Sequence, residues 1–180
     1  ISLLAHEYFH LWNVKRIRPK AFIPFNYTTE NYTELLWFFE GITSYYDDYI
    51  CYRAGVTSKE KFYQIVANNI NDVVNTSGAD TQTLAEASYD TWLKYYRRNE
   101  NSSNTQINYY THGALIAMVF DFMIMQATKG EKCLDDVMRI LYEEYLKHPN
   151  KGITHKDILA VVNSVSGLDF EPPFQQYIFS

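Results

Sequence analysis

Apolar residues in this 180-residue chain recur three and four apart, and nowhere do they alternate with conviction. In "TSKEKFYQIVANNINDVVN" the apolar set is Phe62, Ile65, Val66, Ile70, Val73 and Val74, which is one face of a helix. Thr57 or Ser58 stands where an N-cap belongs. The same period predicts helices over 2–12, 33–54 (ended by Gly55), 110–128, 132–147 and 155–165, the last capped by Thr154. Shorter helices are expected near "LAEASYDTWLKYY" and "LDFEPPFQQYIF", and residues 13–33 read as irregular. No unit repeats at a fixed spacing, which disfavours a helical-repeat array. The fold class is therefore all-α.

A chain of this length is ample for one domain with its own core. The aromatic load is high, with 16 Tyr, 11 Phe and 3 Trp, and a tyrosine-rich core is the simplest account of it. Net charge is −5, and the one basic cluster, "VKRIRP" at 14–19, is short, so nucleic acid is excluded as a partner. That cluster reads as local structure or site electrostatics. No apolar run is long enough for a membrane span. Cys51 and Cys133 lack metal-ligand spacing and read as free thiols.

The stretch His6-Glu7-Tyr8-Phe9-His10 carries chemistry. On a helix, His6 and His10 lie one turn apart on the same face, so both imidazoles can converge on one ion. Glu7 sits about 100° round the helix, free to act as general base on water beside that ion. Chance would supply such a motif roughly 0.01 times in a chain of this composition.

A third ligand is required. A metzincin would place glycine and histidine where this chain has Asn13 and Arg16, so that class is excluded. Glu40 lies within the apolar, aromatic "LLWFFEGITSYYDDY", where an unpaired carboxylate would cost several kcal/mol. It needs an arginine such as Arg16 or Arg18, or a metal. Beside HEYFH, the metal is favoured. Two imidazoles and one carboxylate leave Zn²⁺ an open fourth position, which defines a catalytic site. Thr43, Ser44 and Asp47 share the helical face of Glu40, so Asp47 or a hydroxyl is placed to orient a ligand histidine, with surface solvation as the alternative.

"HEYFHLWNVKRIRP", "ENYTELLWFFEGITSYYDDY", "EASYDTWLKYYR" and "YYTHGALIAMVFDF" together resemble the catalytic domain of the glycyl aminopeptidase family, within the gluzincin clan. The resemblance runs from about residue 5 to at least 130. It implies a thermolysin-like, C-terminal helical catalytic domain spanning 1–180 and one Zn²⁺ per chain. It implies His6, His10 and Glu40 as ligands and Glu7 as base. The activity it implies is hydrolysis of N-terminal glycine or alanine from peptides by metal-activated water. "YTHG" at 110–113 resembles a Tyr-x-Lys-Gly element whose tyrosine stabilises the oxyanion, which maps onto Tyr110, with Tyr109 as fallback and core packing as the alternative for either. His112 stands where lysine is usual.

The resemblance also implies an N-terminal β-rich domain, a C-terminal PDZ domain and a periplasmic or extracellular setting. Ile1 is not an initiator methionine, so the chain reads as a piece excised from a longer one and inactive alone. Two rivals to the aminopeptidase reading are a zinc endopeptidase of the same clan and a helical interaction module with a relic metal site.

Overall fold

The computed structural model describes all 180 residues and contains nine α-helices and no strands. These are α1 (Ser2–Phe9), α2 (Ile42–Arg53), α3 (Lys59–Val74), α4 (Leu84–Tyr89), α5 (Ser102–Thr105), α6 (Tyr109–Ala127), α7 (Leu134–Lys147), α8 (His155–Ser166) and α9 (Glu171–Ile178). The only strand-like pairings are two isolated bridges, Asn13 with Ile17 and Pro19 with Ile153. The second ties the segment after α1 to the loop before α8.

Helix starts follow their caps. Ser58 Oγ accepts from the Lys61 N–H at the start of α3, and Thr83 and Thr154 form capping boxes with Glu86 and Asp157. Asn108 caps α6 by accepting from the Tyr110 N–H, so α6 begins at Tyr109 and Tyr110 lies in its first turn.

Two helices depart from the pattern in the sequence. The helix expected over 2–12 ends at Phe9, because the chain turns back on itself: the N–H groups of Asn13, Lys15 and Ile17 donate to the carbonyls of Phe9, His10 and Trp12. His10 keeps right-handed helical angles at the C-cap, so its register with His6 survives. The helix expected from 33 opens instead with a π turn over Trp37–Gly41 that runs directly into α2. Single π turns inside α-helices are rare and cluster at functional sites. This one carries Glu40.

The core is built from phenylalanine rather than tyrosine. Trp37, Phe38, Phe39, Phe120, Phe170 and Phe174 are almost fully buried, with Phe120 stacked on Phe174 and both edge-on to Trp37. Only Tyr45, Tyr46 and Tyr109 are buried, while Tyr8, Tyr27, Tyr63, Tyr89, Tyr96 and Tyr177 are exposed. A buried phenol needs a partner for its hydroxyl. Tyr45 finds Asp121 at 2.6 Å and Tyr46 finds Asp135 at 2.8 Å. Most of the other tyrosines avoid that requirement by staying at or near the surface.

α6 crosses the π turn and α2 through the centre of the molecule, and α1 lies along α2 with Phe9 stacked on Tyr46 at 4.7 Å. His6 and His10 come from α1, Glu40 from the π turn, Asp47 from α2 and Tyr110 from α6. Cys51 and Cys133 are both free. No helix is long and apolar enough to cross a membrane.

Candidate metal centre

His6, His10 and Glu40 meet where α1 crosses the π turn. The Nε2 atoms of His6 and His10 each lie 3.2 Å from the same oxygen, Glu40 Oε2, and the three donor atoms fall within 4.8 Å of one another. Ligands at about 2.0–2.1 Å from a tetrahedral zinc are separated by about 3.3 Å. The spacing fits that ion, and two neutral nitrogens with one carboxylate oxygen suit its chemistry.

The other ring nitrogens are already engaged. His6 Nδ1 donates to Asp47 Oδ2 at 2.9 Å, and His10 Nδ1 donates to the Asn13 carbonyl at 2.8 Å. Each bond leaves the Nε2 lone pair facing the cluster, the tautomer a metal requires.

Without a metal, the same cluster holds protons instead. Hydrogen bonds to Asp47 and then Glu40 raise His6 to about 9, against the opposing effect of burial. Burial pulls His10 down, but its bonds to Glu40 and Asn13 outweigh that and leave it raised. Burial pushes Glu40 up, yet the two imidazoles hold it at about 2. A metal ion bound by the two imidazoles would displace those protons and take their place beside the Glu40 and Asp47 carboxylates.

Neither Arg16 nor Arg18 pairs with Glu40. Arg16 donates to the Leu11 carbonyl and Arg18 to the Pro149 carbonyl. Of the residues sharing the helical face of Glu40, Asp47 reaches a histidine directly. Thr43 does so at one remove: its Oγ1 accepts from Asn13 Nδ2 at 3.2 Å and donates to the Phe39 carbonyl at 2.6 Å. Ser44 lies on the other side of α2, against Phe62 and Ile65 of α3.

Glu7 and Tyr110 line the same cavity of about 340 Å³ as the three cluster residues. Glu7 is exposed to it, and the Tyr110 ring lies 6.2 Å from the His6 ring. Burial and the Glu40 charge raise Tyr110 well above the usual phenol value, so its hydroxyl stays a proton donor. Tyr109 points into the core, 1% exposed. His112 does not face the cavity. It is buried, donates from Nδ1 to the Asn108 carbonyl, and burial lowers its pKa, so it supplies no cation there.

Reading the sequence alone missed Asn13. It is fully buried, its carbonyl holds His10, and its amide reaches the Phe38 and Phe39 carbonyls beside Glu40. The signal was present: a polar residue between Trp12 and Val14, three positions past the second histidine.

The all-helical domain thus gathers two histidines from one helix and a glutamate from the π turn into a candidate metal centre. The chain belongs to the M61 glycyl aminopeptidase family, whose model matches residues 1–116. It is a peptidase-family domain. It is also similar to an aminopeptidase N family protein from Idiomarina loihiensis, with a TM-score of 0.94 and 35% identity over 99% of this chain. The chain spans 30% of that protein's length. No curated protein matches it.

Proposed function

We propose that this chain is the metal-binding half of a zinc aminopeptidase active site that releases N-terminal glycine or alanine from peptides. The observation that carries the reading is the shared 3.2 Å approach of both Nε2 atoms to Glu40 Oε2, with each Nδ1 already committed elsewhere. His6, His10 and Glu40 would hold one Zn²⁺. Bound there, the zinc supplies Lewis acidity, lowering the pKa of a water to about 7 and polarising the substrate carbonyl.

The chain's own residues do the rest. Glu7, at the cavity surface beside His6, takes the proton of the attacking water and returns it to the leaving amine. The Tyr110 hydroxyl donates to the oxygen on which charge develops as the carbonyl becomes tetrahedral. Asp47 and Asn13 hold the two imidazoles in one tautomer and one orientation throughout.

The outer face of α1 supports the wider architecture implied by family likeness. Leu3, Leu4 and Tyr8 are 70%, 74% and 63% exposed, an apolar patch on the helix that carries His6 and His10. An N-terminal β-rich domain would cover it and complete the cleft, and a C-terminal PDZ domain belongs to the same proposal. If that domain forms the other wall of the cleft, the 180 residues alone should turn over glycyl peptides poorly.

The test is elemental analysis after mild dialysis, with about one zinc per chain expected. His10→Ala should lose the metal. Glu7→Gln in the full-length enzyme should keep it and lose peptide hydrolysis. Zinc retained by His10→Ala would overturn the ligand set, and absence of zinc from the parent protein would favour a relic site in an interaction module.

A further inference from the structure

The charged and phenolic side chains of the 340 Å³ cavity all have a task in the proposed reaction except one. Lys15 lines the cavity with Glu7, Glu40 and Tyr110, and it takes part in none of the molecule's ion pairs.

Its place is held by an unusual backbone. Val14, immediately before it, has φ of 124°, a region that a β-branched residue adopts only under strain. The strain is fixed by bonds on both sides: the Lys15 N–H donates to the His10 carbonyl at 3.1 Å and the Ile17 N–H to the Trp12 carbonyl at 2.8 Å. This turn brings Lys15 back to the cavity that α1 borders. Strained residues of this kind cluster at active sites and ligand clamps.

Charge decides what Lys15 meets there. With a divalent cation bound and both imidazoles neutral, Lys15 and the ion balance the carboxylates of Glu7, Glu40 and Asp47, and they are the two positive poles of the site. Lysine and metal repel each other, so the group between them that lowers the energy is an anion. A peptide's α-ammonium is disfavoured beside Lys15, and its C-terminal carboxylate is favoured. Each residue of an extended peptide spans at most about 3.6 Å, so the carboxylate of a di- or tripeptide lies within about 7 Å of the scissile bond.

We propose that Lys15 receives the C-terminal carboxylate of short peptides, which makes di- and tripeptides with a free C-terminus the substrate class of this site. The inference rests on the peptidase reading above. Lys15 also sets the direction of binding, with the α-amine held away from it and the leaving group toward it.

The experiment uses the full-length zinc-loaded enzyme with glycylglycine and glycylglycinamide, which differ in the terminal charge. The parent should prefer the acid, and Lys15→Met should shrink the acid-to-amide ratio of kcat/KM by about tenfold, through KM. Lys15→Arg should keep most of the preference, and added salt should erode it. Dissociation constants for the same two ligands, measured in a Glu7→Gln background that cannot turn them over, should move in parallel. A parent without acid preference, or a Lys15→Met loss equal for both ligands, overturns the inference and leaves the peptidase reading standing. If neither compound is hydrolysed but the preference in binding persists, the peptidase reading falls and the cation's role stands.

Discussion

Gly41 and Gly113 meet backbone to backbone: a Cβ added to Gly41 would lie 2.5 Å from the Cα of Gly113, and one added to Gly113 would lie 2.6 Å from the Trp37 carbonyl oxygen. Neither contact can be relieved by a side chain moving aside. This crossing is what sets Glu40, on the π turn, against Tyr110, on α6. Gly113→Ala should therefore destabilise the fold by about 1–3 kcal/mol or more. It should also loosen metal binding, although residue 113 touches no ligand. Urea unfolding and zinc content measured on the same preparation check both, and a variant with normal stability would show that the helices can separate freely.

Asp47 is the partner of His6 Nδ1, and it is the one charged group that supports a histidine of the cluster from behind. Asp47→Asn preserves shape and an acceptor oxygen but removes the charge. Zinc affinity should fall about 10–100-fold, as read by competition with a chelator of known affinity. Ser44→Ala, one helical turn from Glu40 but facing α3, should leave that affinity where it was. Equal affinities for Asp47→Asn and the parent would make the His6–Asp47 bond irrelevant to the metal.

How much of this was legible in the sequence depended on whether the signal was local. Helical periodicity, the Ser58 and Thr154 caps and the one-turn spacing of His6 and His10 are properties of neighbouring residues, and the structure repeats them. Glu40 was legible because a carboxylate among "LLWFF" is costly without a partner. The π turn was not, since it packs against α6 at the Gly41–Gly113 crossing, a contact 72 positions apart in sequence. Asn13 and Val14 were missed for the same reason: their conformations are dictated by the π-turn carbonyls and by the turn that carries the chain past α1. The composition misled about the core, because tyrosine counts say nothing of which hydroxyls find a carboxylate such as Asp121.

Tyr110 and Tyr109 are adjacent in sequence, with rings stacked at 4.8 Å, yet they serve different surfaces. Tyr110→Phe in the full-length enzyme should lower kcat and kcat/KM together by about 10²–10³ and leave zinc and fold intact, as loss of an oxyanion donor does. Tyr109→Phe should act on stability instead, because that ring is in the core. A large kcat loss in Tyr109→Phe with a near-normal Tyr110→Phe would move the donor one residue upstream.

His155 gives the fold a pH dependence separate from the metal cluster. Its Nε2 accepts from Trp37 Nε1 at 3.1 Å, its ring stacks on the Trp37 indole, and Phe179 packs edge-on at 4.9 Å. Glu34 Oε2 lies 3.9 Å from Nδ1, but that carboxylate is largely exposed and cannot offset the loss of the Nε2 lone pair that protonation would bring. Burial accordingly lowers His155 to about 4. Below pH 6.5 the unfolded chain takes up a proton that the folded chain refuses until about pH 4, so stability falls as pH falls through that window and levels off beneath it. The difference between pH 7 and pH 5 amounts to about 2 kcal/mol. Asp48, raised to about 6 by burial and by Asp47, acts in the opposite sense, so the comparison must be with a variant and not with the parent alone. His155→Gln can still accept from Trp37 but does not titrate. Urea unfolding of both proteins at pH 7 and pH 5 should show the parent losing more stability on acidification than the variant, and parallel losses would mean that His155 is protonated in the fold.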